Sequence, residues 1–180
     1  MRNFLQIAGG LDINPTLLAL SLNSDLWNEN DLRTKHPGTV HAEVDDIWLL
    51  FNRIPVNVAE VMDDVSVIPY RAWNVLHALR AQVLDLLRRV EGIQLGRVMV
   101  TRMKPGSRIY PHVDQGAPAE LFDRYHIALQ NLPGSVFRIG DESMTYNAGE
   151  VWWIDNQVEH EVINNSKDDR LAVVVDVRRK

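Results

Sequence analysis

Tyr110-Pro111-His112-Val113-Asp114 is the stretch around which the predicted strands of this chain are arranged. In a β-strand, residues two positions apart point to the same face of the sheet. His112 and Asp114 would therefore present an imidazole and a carboxylate side by side, while Val113 points the other way. A short His-x-Asp combination also occurs by chance, so its meaning depends on the residues that surround it.

Short strands separated by turns lie on both sides of this stretch. The segments predicted as strands are residues 95–103, 109–114, 125–129, 136–139, 144–146, 151–154, 160–163 and 171–177. Pro105-Gly106 and Pro133-Gly134 are typical of the turns between them. Many short strands with regular turns favour a sandwich or barrel. We therefore predict a mainly β fold with flanking helices (α+β), namely a jelly-roll barrel with helices packed on its outside.

The N-terminal half contributes the predicted helices and the first strands. Residues 46–52 are a predicted strand, a helix starts near Asn14, and residues 54–69 are predicted to form a loop. Apolar residues spaced three and four apart predict the clearest helix at residues 71–90, packed against the sheet. His77 lies beside the polar face of this helix, so we interpret it as structural or solvated.

The composition is ordinary for a soluble globular protein. The 180 residues suffice for one domain with a sizeable core, and 46% are apolar and 24% charged. The net charge of −5 argues against nucleic acid as a partner. No apolar run of transmembrane length or signal peptide is evident, so we expect no membrane partner and a cytoplasmic location. Without cysteine, any metal must be held by nitrogen and oxygen ligands.

A second histidine, His160, lies among the later predicted strands and can reach the site of His112 and Asp114. Two histidines and one carboxylate on one face of an octahedron leave three positions open, which is the arrangement found in non-haem Fe(II) oxygenases. The alternative is a buried, hydrogen-bonded pair of His112 and Asp114 with an unrelated His160. These three residues by themselves leave both interpretations open.

Arg170 stands at the start of the last long apolar strand. A cation is costly to bury unless it is paired, and a bidentate carboxylate is its best partner. Arg170 could bind the distal charge of an anionic, chelating co-substrate; the alternative is a rim arginine paired with Asp168 or Asp169. Arg124 and His126 lie two apart, so they could add a cation and a donor to the same pocket, or be a surface arginine and a core histidine.

Four motifs, taken in order, resemble a known family. They are Pro111-His112-x-Asp114, Arg124-x-His126, Trp153-x-Asp155 before Glu159-His160-Glu161-Val162, and Arg170 followed by Val174-Val175-Asp176-Val177. This combination resembles the aspartyl/asparaginyl β-hydroxylase family of Fe(II)/2-oxoglutarate dioxygenases, and bacterial proline hydroxylases look similar too. The resemblance covers residues 95–178 well and the N-terminal half loosely.

The resemblance implies a double-stranded β-helix, a cupin-like jelly-roll, in one dioxygenase domain spanning residues 1–180. Residues 1–92 would supply helices and the first strands. Residues 93–178 would form the core that carries the metal and co-substrate site.

The resemblance also implies roles for the candidate site residues. Fe(II) would be bound by the catalytic residues His112, Asp114 and His160. Arg170 would pair with the distal carboxylate of 2-oxoglutarate, and the cofactor-binding residues Arg124 and His126 would help to hold it.

The implied reaction uses O₂ and 2-oxoglutarate, releases succinate and CO₂, and hydroxylates an unactivated carbon of an amino acid or of a peptidyl Asp, Asn or Pro-type residue. The animal members of the family have glycine where this chain has Asp114. This departure makes the chain more like bacterial amino-acid hydroxylases, so we expect a small-molecule or peptide substrate. Asp155 and Glu159 are predicted to orient the ligand imidazoles, unless they are surface carboxylates.

Two other classes stay open at this point. A cupin-type metalloenzyme would bind metal through the same three residues but would not need 2-oxoglutarate or Arg170. A non-catalytic jelly-roll binding module would need no metal. A nucleic-acid demethylase is disfavoured, because the chain is acidic and lacks a basic stripe interleaved with aromatic residues.

The polar, irregular segment of residues 33–41 is predicted either to be an exposed loop or to overhang the site and touch substrate. In the second case Arg33, Lys35 or Arg53 could hold a substrate carboxylate. His36 and His41 are exposed loop histidines in the first case and neighbours of the substrate in the second.

Overall fold

The computed structural model describes residues 1–54 and 64–180, so residues 55–63 of the predicted 54–69 loop lie outside the described residues. The strands of the described part are β1 Phe4–Ala8, β2 Val44–Phe51, β3 Ile68–Pro69, β4 Gly92–Met103, β5 Arg108–His112, β6 Asp123–Gln130, β7 Ser135–Ile139, β8 Glu142–Met144, β9 Val151–Ile154, β10 His160–Asn164 and β11 Arg170–Arg179. Its helices are α1 Asn14–Leu22, α2 Leu32–Lys35, α3 Arg71–Val75, α4 His77–Arg89 and α5 Ala117–Leu121, with a 3₁₀ turn at Ser24–Leu26.

Two antiparallel sheets pack against each other. The larger has the strand order β1-β9-β6-β11-β4-β2-β3, and the smaller has the order β5-β10-β7-β8. Hydrogen-bonded neighbours are distant in sequence, as where β11 pairs with both β4 and β6. This crossed connectivity makes the fold a jelly-roll, or double-stranded β-helix. The predicted mainly β class with flanking helices is therefore confirmed.

Two apolar layers stabilise the fold. The layer between the sheets includes Phe4, Val44, Met103, Ile109, Phe137, Ile139 and Val162. The second layer lies between the larger sheet and the helices and includes Leu76, Leu79, Val83, Leu129, Val173 and Val175. Helices α1, α3 and α4 thus cover the outer face of the larger sheet and leave its inner face to the smaller sheet.

The alternation along β11 determines which residues face the space between the sheets. Val173 and Val175 are fully buried in the layer under the helices. Arg170 and Val174 have the opposite parity and line a cavity between the sheets. Because side chains of a strand alternate between faces, an arginine four residues before Val174 must point into that cavity.

The helix predicted at residues 71–90 is divided into α3 and α4. Leu76 separates them, because its φ of −86° and ψ of 63° are not helical. The apolar spacing continues through the break, and Leu76 itself is fully buried, so periodicity alone could not locate it. His77 is exposed, as predicted. No helix in residues 1–54 or 64–180 is long and apolar enough to cross a membrane.

The strand predicted at residues 109–114 ends earlier than expected. β5 stops at His112, and Asp114 lies in the following loop. The backbone N–H of Asp114 donates to the carbonyl of Asn156 at 3.2 Å instead of continuing the sheet. This loop contact, and not a shared strand, therefore holds Asp114 next to His112. The expectation that both residues lie on the same face of one strand is wrong.

Candidate active site

His112 and His160 occupy facing positions on neighbouring strands. β5 and β10 pair with His160 directly opposite His112, and the centroids of the two imidazole rings lie 4.2 Å apart. Asp114 approaches from the loop after β5. The ligand atoms offered by the three residues all lie within 4.8 Å of one another. The structure thus brings together the three residues that the sequence analysis selected as metal ligands.

Backbone carbonyls determine which nitrogen each imidazole presents to the site. Nδ1 of His112 lies 2.7 Å from the carbonyl oxygen of Tyr110, and Nδ1 of His160 lies 2.9 Å from that of Val158. A carbonyl oxygen only accepts hydrogen bonds, so each Nδ1 is assigned the hydrogen. Burial also lowers the pKa of His160 and favours its neutral form. Both Nε2 lone pairs are therefore available to a metal.

Asp114 uses one carboxylate oxygen for hydrogen bonds and presents the other to the imidazoles. Oδ2 accepts from the guanidinium of Arg124 and, at 3.0 Å, from Nδ2 of Asn156. Oδ1 lies 3.5 Å from Nε2 of His112. Burial opposes ionisation, but the adjacent guanidinium of Arg124 outweighs it and holds the pKa of Asp114 well below its usual range. The carboxylate is therefore charged and fixed in orientation.

Arg124 is held between two carboxylates. Its Nε and Nη2 donate to the two oxygens of Asp176 at 2.8 and 3.0 Å, and its Nη1 donates to Asp114. The bidentate pair with Asp176 fixes the plane of the guanidinium. The expectation that Arg124 helps to hold a co-substrate stays a prediction, and its contacts favour a role in orienting Asp114.

One cavity of about 730 Å³ contains the three candidate ligands and extends between the sheets. Its volume falls within the usual range of small-molecule pockets, roughly 300 to 1,000 Å³. The segment of residues 33–41 forms part of its wall through Arg33, His36, Gly38, Thr39, Val40 and His41. This segment therefore adjoins the candidate site, whereas Lys35 is exposed and pairs with Asp31.

Arg170 is buried in the wall of this cavity and forms no ion pair with a carboxylate of the described residues. It is 3% exposed, its Nη1 lies 4.0 Å from Sδ of Met103, and its Nη2 has no hydrogen-bond partner in residues 1–54 and 64–180. Burial lowers the pKa of Arg170. In the described part of the chain, Arg170 does not form an ion pair with Asp168 or Asp169, which was the alternative interpretation of this residue. A buried cation without a partner is costly, so this one is suited to an anionic ligand.

Two further polar groups near Arg170 also lack partners. The Tyr146 hydroxyl and Nδ1 of His126 are buried with no hydrogen-bond partner in the described part of the chain. Cζ of Arg170 lies 5.9 Å from the centroid of the Tyr146 ring, and the His126 and Tyr146 centroids are also 5.9 Å apart. Burial raises the pKa of Tyr146 and lowers that of His126, so both are neutral. The three residues can offer one anion a cation and two neutral hydrogen-bonding groups.

Asn156 and Tyr146 are site residues that the sequence analysis missed. Asn156 follows β9 and bonds Asp114 through both its side chain and its backbone. Tyr146 was assigned to a strand at residues 144–146, whereas β8 ends at Met144 and Tyr146 lies beyond it. Only contacts between distant segments place these two residues, so no local sequence pattern indicates them.

The imidazole-orienting role predicted for Asp155 and Glu159 falls to backbone carbonyls. Oδ1 of Asp155 accepts from the backbone of Gln157. Glu159 is exposed and pairs with Arg138. Neither therefore orients a ligand imidazole; Glu159 is the surface carboxylate of the alternative interpretation, and Asp155 is half-buried.

Comparison with known proteins identifies the family. The family model described as aspartyl/asparaginyl beta-hydroxylase matches residues 70–180. This segment contains the three candidate ligands, Arg124, His126 and Arg170. The chain belongs to the aspartyl/asparaginyl β-hydroxylase family. The resemblance found in the sequence motifs is thereby confirmed.

Curated relatives match this chain over part of their own length. The chain is 30% identical over 97 residues to the aspartyl/asparaginyl beta-hydroxylase of Mus musculus, a match that covers 53% of this chain and 13% of the mouse protein. The Homo sapiens protein of the same name gives 30% identity over 97 residues, covering 12% of its length. The chain thus spans only a small part of these relatives.

Solved structures of other members of the wider fold group are similar over the whole chain. A viral collagen prolyl hydroxylase from Paramecium Bursaria Chlorella virus-1, solved with 2-oxoglutarate, has a TM-score of 0.58 at 11% identity over 99% of this chain and 96% of its own. A prolyl-4-hydroxylase of Pseudomonas putida has a TM-score of 0.51 at 15% identity over 99% and 93%. At these identities the likeness shows the jelly-roll fold.

Proposed function

We propose that this chain is an Fe(II)- and 2-oxoglutarate-dependent hydroxylase. The observation that supports this most directly is a single cavity with two features. A His/Asp/His donor set lies on one part of its wall, and the unpaired, buried guanidinium of Arg170 lies on another. A metal site alone would explain the first feature and leave the second without a partner.

The donor set fits Fe(II). Two imidazoles and one carboxylate are the donor set of the facial arrangement that non-haem iron oxygenases use. His112 and His160 present Nε2, and Asp114 presents Oδ1. Fe(II) held there would supply the redox chemistry with O₂ that converts a C–H bond to C–OH, while 2-oxoglutarate is converted to succinate and CO₂.

The far part of the cavity fits the distal carboxylate of 2-oxoglutarate. Arg170 lines the cavity and offers Nη2. The Tyr146 ring centroid lies 5.9 Å from Cζ of Arg170, and we assign its unpartnered hydroxyl as a further donor. A guanidinium binds a carboxylate through charge-assisted hydrogen bonds. We assign His126 to the same subsite because its Nδ1 is buried without a partner in the described residues.

The remaining work of the protein is to orient ligands and exclude water. Ile109, Phe137 and Val162 line the same cavity as the histidines and Arg170. Arg124 and Asn156 keep Asp114 in one orientation. The substrate would be an amino acid or a peptide residue, as the name of the family suggests. The cupin-type and binding-module alternatives give no reason for burying Arg170.

The co-substrate assignment can be tested before any substrate is known. Metal-free protein under anaerobic conditions should develop the weak visible charge-transfer band of chelated 2-oxoglutarate when Fe(II) and then 2-oxoglutarate are added. Succinate, which lacks the 2-oxo group, should give no band. Fe(II) binding without a band would contradict the use of 2-oxoglutarate and favour a cupin-type enzyme. No Fe(II) binding at all would favour the binding module.

Asn156 is expected to tune the metal site through Asp114. We expect Asn156→Ala to weaken Fe(II) affinity by roughly tenfold, because loss of a hydrogen-bond partner of a metal ligand typically costs 10- to 100-fold. Fe(II) titration of the metal-free protein measures this. Asn147→Ala is a control, since Asn147 is exposed and bonds Glu150 away from the cavity. Equal affinities for both variants would show that Asn156 does not position Asp114.

A further inference from the structure

The cavity has a second, largely apolar part that the metal and co-substrate sites do not use. Met99 on β4 lies opposite Val174 on β11 and opposite Trp48 on β2. Phe51 stacks on Trp48 with ring centroids 3.8 Å apart. Leu32, Phe51, Met99 and Val174 all line the cavity. We call these four residues the apolar wall.

Arg33 is fixed beside the apolar wall by a buried carboxylate. Its Nε and Nη2 donate to the two oxygens of Asp46 at 2.7 and 2.8 Å, and the Asp46 side chain is 0% exposed. Asn28 in turn accepts from the Asp46 backbone at 3.0 Å. The Arg33 side chain donates to described residues through Nε and Nη2 and not through Nη1. Arg33 also lines the cavity. The guanidinium is therefore held in place with one nitrogen available to a ligand.

The segment of residues 33–41 brings Arg33 close to the metal centre. The Thr39 hydroxyl donates to the carbonyl of Arg33 at 2.6 Å and accepts from the His41 backbone at 3.1 Å. The His41 ring packs edge-on against that of His112, with centroids 5.2 Å apart. A ligand on the apolar wall would therefore share one cavity with Arg33 and the candidate metal ligands.

The charges around the cavity favour a second anionic ligand. Among the described residues that line it, four are arginines and Asp114 is the one carboxylate. Arg124 is committed to Asp114 and Asp176, and Arg170 is assigned to 2-oxoglutarate. Arg33 lies at the apolar wall with its bidentate partner Asp46. Arg97 also lines the cavity, where it donates to Asn52 at 2.7 Å and its Cζ lies 4.8 Å from the Phe51 centroid.

We propose that this part of the cavity binds the substrate, and that the substrate is a carboxylate with an apolar body. Nη1 of Arg33 donates to the carboxylate, and Phe51, Met99 and Val174 pack against the body. This places a C–H bond of the body toward His112 and His160. The inference rests on the proposed function, because the ligand is assigned as substrate only if the metal and 2-oxoglutarate sites are correct.

The test uses the protein loaded with redox-inert Mn(II) and saturating 2-oxoglutarate. Paramagnetic relaxation of probe protons in NMR then reports binding close to the metal. The probes are L-leucine, L-proline, the uncharged L-leucinamide, L-aspartate without an apolar body, and the peptide acetyl-Gly-Gly-Leu. We expect enhanced relaxation for at least one acid with an apolar body. Enhancement for free leucine or proline alone indicates a free amino acid, and enhancement for the peptide indicates a peptide carboxyl terminus.

The matching variant is Arg33→Met with Asp46→Asn, which removes both members of the buried pair and so leaves no unpaired buried charge. We expect probe affinity to fall at least about tenfold, because the variant loses a hydrogen bond between two charged groups. Lys35→Met removes a cation from the same segment outside the cavity and should change nothing. Circular dichroism and 2-oxoglutarate affinity should match the parent in both variants.

Three outcomes would overturn the proposal. They are stronger enhancement for L-leucinamide or L-aspartate than for the apolar acids, unchanged probe affinity in the Arg33/Asp46 variant, and no enhancement with any probe although Mn(II) and 2-oxoglutarate bind. Failure of Mn(II) or 2-oxoglutarate to bind the parent protein would instead reject the proposed function, so the two failures are distinguishable.

Discussion

His160→Ala is expected to bind Fe(II) at least roughly a hundredfold more weakly than the parent and to lose the 2-oxoglutarate charge-transfer band. Loss of a mere hydrogen-bond partner of a ligand costs 10- to 100-fold, so loss of a ligand itself should cost at least the upper value. His112 and Asp114 would remain as two donors on one side of the ion. Anaerobic Fe(II) titration, followed by 2-oxoglutarate, measures both effects.

The control for this change must account for packing as well as charge. His160 is 5% exposed and lies 6.0 Å from the Phe137 ring between centroids, so alanine leaves a void in the core. His160→Gln fills more of that space and should lose iron to a similar degree while keeping more stability. His77→Ala, at an exposed helix position, should behave as the parent does. Parent-like Fe(II) affinity in folded His160→Ala would mean that other residues hold the metal.

The strands, and the close approach of His112 and His160, could be predicted from the sequence. The apolar run at residues 171–177 predicted a strand, and β11 covers it with Val173 and Val175 facing the helices. His112 and His160 both fall on short predicted strands, and the structure pairs them in register. Strand signals are local, and the jelly-roll connectivity then restricts which strands can be neighbours.

The contacts that orient the site residues could not be predicted from the sequence. Asp114 lies beyond the end of β5, and Asn156 holds it from a position 42 residues later in the chain. Arg124 carried the right motif, yet its pairing with Asp176 depends on the register of β6 against β11. Register between distant strands is set by the packing of the whole core, so single-residue patterns do not reveal it.

Arg170→Met is expected to raise the 2-oxoglutarate concentration needed for half-saturation by about a hundredfold with little change in Fe(II) affinity. Two lost hydrogen bonds to a charged group account for that factor at about 1.5 kcal/mol each. The same change should leave the ligand-free protein as stable as the parent or more stable. The reason is that Arg170 is a buried cation without a carboxylate partner among the described residues, and a methionine fills the site without its desolvation cost.

Thermal unfolding with and without 2-oxoglutarate separates a binding role of Arg170 from a structural one. A ligand that binds only the native state stabilises it by RT ln(1 + [L]/Kd), so the stabilisation by 2-oxoglutarate should largely vanish in Arg170→Met, where Kd is raised. Tyr146→Phe should lie between this variant and the parent, because it removes one donor and keeps the cation. Arg102→Met removes an arginine that pairs with Asp45 on the outer side of the neighbouring strand, and should keep full stabilisation. If Arg170→Met instead destabilises the ligand-free protein and leaves 2-oxoglutarate binding intact, the guanidinium is part of the core and the co-substrate lies elsewhere in the cavity.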